Sequence, residues 1–354
     1  MATTRAVDPP VARHGYGPLA LFSVLGAVGA LAAAATYLVY QWERSLLLAD
    51  FEFLARLRAL TIQKEINAHA DFERALGNVF TVVPAVDRKM FGQLVGARLG
   101  EHRAINAMMW APVVDGAQRA AFEERARAEG INGYRIMDRV AEVDGAHEFV
   151  PAGQRERYLP VLYLASNTVD ASWLGFDLQS SAEFRSVLDA ACESGWTRTA
   201  ITKRVTEPSG RPAATSQLVF ATPVYREGGA FAQTRAARCA QLRGVVVESV
   251  ALDRLVDASL GGEGMRGIDI TFYDEGDTVG GDGFFFFPSR TRDASPSHGL
   301  QTRLGAMQWQ ASIDVPGATW TLLFTPAPLF LETHPYWRTM GTAAASAAFG
   351  LARP

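Results

Sequence analysis

Tyr158-Leu-Pro-Val-Leu-Tyr-Leu164, Gly175-Phe-Asp-Leu178, Ala182 to Cys192 and Leu218-Val-Phe-Ala-Thr-Pro-Val-Tyr225 follow one another in a single short stretch of the chain. The first and last pieces alternate as strands do. The third carries apolar residues at helical spacing and stops at Ser194-Gly195. Strand, loop, amphipathic helix and strand describe a small cup, with a sheet as wall and a helix as lid. The rest of the chain reads as apparatus for holding that cup outside a membrane.

Upstream, residues 1–17 are polar, with Arg5, Arg13 and His14 against Asp8. Pro18 to Tyr40 then runs without a single charge. At about 1.5 Å per residue it reaches roughly 35 Å, enough for a hydrocarbon core of about 30 Å. A signal peptide is disfavoured, since its apolar region spans only about 7–15 residues. The expectation is a cytoplasmic tail (1–17), a transmembrane helix (18–40) and an exported remainder, as Arg5 and Arg13 favour. Gln41 to Gly77 is rich in helix formers, and Leu47, Phe51, Leu54, Ile62, Ile66, Ala70 and Phe72 recur near a 3.6 period. That predicts a stalk helix (41–77) whose stripe either forms a dimer seam or packs on its own domain.

Beyond Pro84 the pattern mixes. Helices are expected at Arg88–Leu99, Gln118–Glu129 and Ala251–Leu260, and strands at Ile105–Val114, Tyr134–Met137 and Arg243–Val250. Four further strands follow: Ile268–Tyr273, Phe284–Phe287, Trp309–Val315 and Thr319–Thr325. Two sheet-bearing units in an α+β chain result, one over 78–238 and one over 239–330. Thr339 to Ala352 is apolar but short, at about 21 Å. It reads as the start of an incomplete second transmembrane helix, within 336–354.

A net charge of −3 gives no reason to expect nucleic acid. The six histidines (14, 69, 102, 147, 298 and 334) show no metal-ligand spacing, and no nucleophile motif occurs, so neither a metal site nor catalysis is expected. Gly262, Gly264 and Gly267 follow a helix and precede a strand, the reverse of the dinucleotide-binding order. Asp274, Asp277 and Asp282 lack calcium-loop spacing and read as a solvated hairpin. With two cysteines, a free buried Cys192 is favoured over a bridge to Cys239.

Several motifs, in this order, resemble the CHASE domain, the extracytoplasmic sensor module of bacterial membrane receptors and plant cytokinin receptors. They are Met109-Trp-Ala-Pro-Val113, Phe122-Glu123 with Gly130, Tyr158-Leu-Pro-Val-Leu-Tyr163, Gly175-Phe-Asp177, Phe184-Arg185, Ser194-Gly195, Pro223-Val-Tyr225 and Arg243-Gly244. The resemblance covers about Phe72 to Leu255. It implies a long N-terminal helix and tandem PAS-like domains, with ligand in the membrane-distal one. In cytokinin-binding members an Asp precedes the Arg185 position and a Thr occupies that of Ala221. Here Phe184 and Ala221 stand instead, which implies a ligand other than cytokinin.

The expected cup is lined by Trp110, Tyr163, Trp173, Leu178, Phe184, Thr202 and Ala221, with Arg185 as an anchor for an anionic group. For any single one of the cup residues plain core is the favoured reading, and Arg185 reads equally well as a solvated side chain. The expected function is the sensor half of a bacterial inner-membrane receptor that binds a small-molecule ligand, with the domain periplasmic, no cofactor, and a homodimer formed through the stalk and transmembrane helices. A histidine kinase or cyclic-di-GMP enzyme as the full-length parent is implied by the resemblance alone. The alternative is a membrane-tethered ligand-binding or partner protein that modulates another receptor.

Overall fold

The computed structural model describes residues 18–83, 85–143, 146–169, 171–204, 215–226, 232–261, 267–289, 307–327, 330 and 337–351. The expected tail 1–17 and the turn at Gly262 and Gly264 lie outside the described residues.

Helix α1 runs unbroken from Pro18 to Val82, 65 residues and about 98 Å at the α-helical rise. Proline at its start is favourable, since its missing N–H would be unpaired there anyway. It is the one helix among the described residues long and apolar enough to cross a membrane. Its apolar window has a mean hydropathy of 1.9 and none of it is buried.

The chain divides into two compact units, Met1–Phe53 with Leu331–Pro354, and Leu54–Phe330. In the first, α1 accompanies a C-terminal helix, Trp337–Leu351, called α7 below. The Glu43 carboxylate accepts the backbone N–H groups of Arg338 and Thr339, at 2.9 and 3.0 Å, and the Thr339 hydroxyl. An anionic side chain thus caps the positive end of α7.

The second unit holds two principal sheets. The larger contains β1 (Ile105–Pro112), β6 (Tyr163–Ser166), β7 (Arg198–Arg204), β8 (Thr215–Tyr225) and β9 (Leu242–Ala251). Their order is β6-β1-β9-β8-β7, and every pairing is antiparallel. The short pairs β2 (Val114–Asp115) with β5 (Arg157–Tyr158), and β3 (Met137–Val143) with β4 (Ala146–Pro151), flank it. The smaller sheet has the order β11-β10-β13-β12, from β10 (Ile268–Tyr273), β11 (Phe285–Phe287), β12 (Trp309–Val315) and β13 (Ala318–Pro326). Among the described residues the unit also holds the helices α2 (Arg88–Glu101), α3 (Arg119–Ala128), α4 (Ala182–Ser194) and α6 (Leu252–Ser259), with α5 (Arg235–Ala240) a short turn before β9.

Both faces of the five-stranded sheet are covered, and strand alternation sorts its residues. Trp110, Tyr163, Val224 and Val246 face α1 and α2, joining Phe80, Phe91 and Val95. Phe80 stacks on Trp110 with ring centroids 4.0 Å apart, a contact of about 0.5–1.5 kcal/mol beyond its buried area. Met109, Ala221, Val245 and Val247 face α4, joining Phe184, Val187 and Leu188. Gln63 of α1 exchanges two hydrogen bonds with the Asp314 backbone, at 2.7 and 2.6 Å, and so ties the stalk to the smaller sheet as well.

Four sequence expectations need correction. β9, assigned above to the proximal unit, is the central strand of the larger sheet, because its valine run is buried on both faces. Tyr158–Leu164 is not one strand, since Pro160 lacks the donor that a ladder needs: Arg157–Tyr158 and Tyr163–Ser166 pair in ladders, and Pro160 between them makes a single isolated bridge to Asp177. Tyr134–Ile136 is held by side chains instead of a ladder: the Tyr134 hydroxyl donates to Val161 O and Ile136 N–H to Glu123. Cys192 and Cys239 form a disulfide, because α4 and α5 lie side by side.

Candidate ligand-binding site

The cup divides in two. Trp173, Leu178, Phe184 and Ala221 gather between the sheet and α4. Trp110 and Tyr163 are opposite one another in the β1–β6 ladder but lie on the other face, in the α1–α2 core. Sequence spacing placed all six around one cup. It did not supply the alternation that puts Met109 inward and Trp110 outward.

Thr202 is buried on β7 opposite Gln217, in the row that continues through Ala200 and Val219, and so lies on the α4 side of the sheet. Arg185 is exposed. It turns back to donate to the carbonyls of Gln179 and Ser180, at 3.0 and 3.5 Å, and steadies the turn before α4 without entering the core.

An aromatic cluster fills the space beneath α4. Trp173, at the end of a 3-10 turn, packs edge-on against Phe149 of β4, Phe176 and Phe184, with centroids 6.0, 5.3 and 6.3 Å away. Phe176 and Phe184 are fully or almost fully buried, whereas Trp173 is only partly so. The indole therefore packs at the edge of the cluster, among the β3–β4 hairpin, the sheet and α4. At the rim, the Arg139 guanidinium sits 5.9 Å over the Phe176 ring. It also donates to Ser181 Oγ at 3.3 Å and to Glu183 Oε2 at 2.9 Å.

Beside the cluster lies Asp177, wholly buried. Gly175 has φ +89, and a Cβ there would meet the Arg135 carbonyl. Only glycine permits the turn that sends Asp177 inward. The Asp177 carboxylate accepts from Leu159 N–H, Gln179 N–H and Arg155 Nη1, at 2.9, 3.2 and 2.9 Å. Burial raises its pKa above the ordinary value, and those hydrogen bonds oppose the rise. Arg155 also grips Asp138 of β3 with two bonds of 2.7 Å, so an ionic strap joins the hairpin to the Asp177 turn.

On the far side of that strap opens a cleft of about 990 Å³, lined by Asp115, Arg119, Glu123, Arg155 and Tyr158 among others. Its Arg119 is committed to Glu123 and to the carbonyls of Ala152 and Ile136. Sequence reading missed Arg139, Phe149 and Arg155. The first two belong to a hairpin that carries no motif of its own, and Arg155 stands just before β5. The Gly175-Phe-Asp177 triplet was the one signal pointing at this corner.

A model of the CHASE domain matches residues 84–285, which takes in the five-stranded sheet, the aromatic cluster and the strap. Nothing among the curated proteins matches the chain. Solved structures similar to it include the ligand-binding domain of a Pseudomonas aeruginosa amino acid chemoreceptor in complex with GABA. That comparison has 13% identity over 80% of this chain and 98% of that one, with a TM-score of 0.39. The sensory domain of a Campylobacter jejuni chemoreceptor with isoleucine bound gives 11% identity over 82% and 96%, with a TM-score of 0.38.

Proposed function

The chain belongs to the CHASE-domain family, and on that premise we propose that it is the sensor portion of a bacterial transmembrane receptor, binding a small extracytoplasmic molecule in its membrane-distal sheet domain. The observation that carries the reading is the partly exposed Trp173 among three phenylalanine rings. Aromatic side chains with few polar groups beside them suit a modest organic ligand once Trp173 moves aside. Trp173 sits on a short turn and swings out to admit it. Arg139 supplies a cation at the mouth, and Asp177 an acceptor held in place by Arg155.

In the same proposal α1 spans the membrane between 18 and 40, α7 begins a second span, and the two sheets are PAS-like modules in tandem. The protein acts by binding and not by catalysis. Trp42, Leu46, Phe53, Leu57 and Leu60 form an exposed apolar stripe on α1, which supports a homodimer paired along the stalk. A shift in how α4 packs on the sheet passes to α1 through Trp110 and Phe80, since those rings touch on the opposite face.

The test is a thermal-shift screen of the full chain in detergent against a metabolite library. Hits are expected to bind with an affinity that falls at least tenfold in Trp173→Ala and in Arg139→Ala. Hits whose affinity is the same in both variants would remove the aromatic cluster from consideration.

A further inference from the structure

Two of the histidines scattered in sequence, His69 and His102, come together in space, with ring centroids 5.8 Å apart. His69 and Glu65 are one turn apart on α1, and His102 caps the C-terminus of α2. Glu65 Oε1 lies 3.7 Å from His69 Nε2 and 3.4 Å from His102 Nδ1. The donor atoms of all three residues fall within 4.8 Å of one another. A tetrahedral zinc with bonds of about 2.0–2.1 Å has donors about 3.3 Å apart. Two edges of such a site are therefore already close to formed.

The second observation is the state of His69. It is wholly buried, and its Nε2 makes no hydrogen bond. Its Nδ1 lies 2.9 Å from Glu248 Oε1, on the central strand β9. A carboxylate there accepts the Nδ1 proton, which leaves the lone pair on Nε2, aimed at the space between Glu65 and His102. A carboxylate behind a histidine is the arrangement that fixes ring and tautomer in metal sites.

From this geometry we infer that Glu65, His69 and His102 form a binding site for a divalent transition metal of the zinc class, with a fourth position open to water. Two imidazoles and one carboxylate are a zinc-type donor set, unsuited to calcium or magnesium. Glu65 and His102 keep 26% and 27% of their side chains exposed, so the ion enters between α1 and α2. Once bound, it ties the stalk helix to α2 and, through Glu248, to the middle of the sheet.

Arg98 sets the cost of loading. Its Nη1 lies 3.0 Å from His102 Nε2, and arginine only donates. The metal-free ring thus holds its proton on Nδ1, facing Glu65. Binding through Nδ1 moves that proton to Nε2 and displaces Arg98, so removing Arg98 should tighten binding.

The experiment is a Co²⁺ titration of the chelator-stripped full chain in detergent, read by visible ligand-field absorption, with Zn²⁺ as competitor. One equivalent with a tetrahedral-type spectrum, displaced by Zn²⁺, is expected. Glu248→Gln should weaken binding about 10- to 100-fold, and Glu65→Gln and His102→Ala should weaken it further. Arg98→Met should strengthen it. Both ligand variants change partly exposed side chains, and unchanged circular dichroism separates lost binding from lost fold. A variant with His14, His147, His298 and His334 all changed to alanine should keep the full signal. The inference is overturned if the wild type shows no saturable absorption, if the bands survive Glu65→Gln and His102→Ala, or if they vanish in the four-alanine variant.

Discussion

Opening the Cys192–Cys239 bridge should destabilise the domain by an amount that follows from chain length. The two cysteines are 47 residues apart, with Cα atoms separated by 5.3 Å, a spacing ordinary for a disulfide. The enclosed loop carries β7 and β8, more than a third of the larger sheet. For a loop of that length, the loss of loop entropy from the unfolded chain amounts to about 4 kcal/mol at 25 °C. In a domain of this size that corresponds to a melting-temperature drop of about 8–16 °C. The assay is urea unfolding of the full chain in detergent, followed by circular dichroism. It compares wild type, wild type with reductant, and Cys192→Ser with Cys239→Ser. Each single serine variant should cost nearly as much as the pair, because either one abolishes the cross-link. Denatured wild type without reductant should show no free thiol. A stability change of less than about 1 kcal/mol, or two titratable thiols in the unreduced protein, would refute the reasoning.

Glu73 is wholly buried on α1, and burial, then the nearby Glu248, raises its pKa well above the ordinary value. Its folded state binds the proton more tightly than the unfolded chain does. Stability should therefore fall as pH rises from about 4.5 toward the folded pKa, and Glu73→Gln should flatten that fall and stabilise at pH 8, as read by unfolding midpoints. Gly244 faces Trp110, and a Cβ there would stand 2.7 Å from the Ala111 carbonyl. Gly244→Ala should cost about 1–3 kcal/mol in the same assay. Phe53, 67% exposed on the stalk, should lose chemical cross-linking to a second copy in membranes when changed to Arg, while folding is kept.

Periodicity was enough for the local elements. The amphipathic runs gave α2, α4 and α6 nearly to the residue, because each carries an apolar face and a clear stop, as Gly195 in the left-handed region shows for α4, and α3 was legible as a charged run closed by Gly130. Long-range partnership was less legible. Nothing local tells Arg243–Val250 that its neighbours are β1 and β8, and a valine run reads alike in the middle of either sheet. The site was half legible for the same reason. Leu178, Phe184 and Ala221 were found under α4, while a one-residue difference in phase sends Trp110 and Tyr163 to the opposite side. The metal cluster was invisible because Glu65 and His69 share a helix turn, but His102 arrives from the end of a different helix. The apolar stripe of α1 is buried at Leu47, Phe51, Ile62, Ile66 and Ala70, and the same face takes in more. It admits Arg58, His69 and Glu73, residues that hydropathy would assign to solvent.

The strand order β6-β1-β9-β8-β7 has a bearing on how the protein is made. Of the five strands, the one at the centre is the last to leave the ribosome. Until it arrives, β1 with β6 and β7 with β8 are two separate ribbons, each showing a raw inner edge. Ile105, on the first of these strands to be synthesised, finds its partner Val250 only on the last, so the newborn chain must wait for a keystone. Through that interval its exposed edges invite pairing with a neighbour, and an escort that shields them would guard the step on which the yield of folded protein depends.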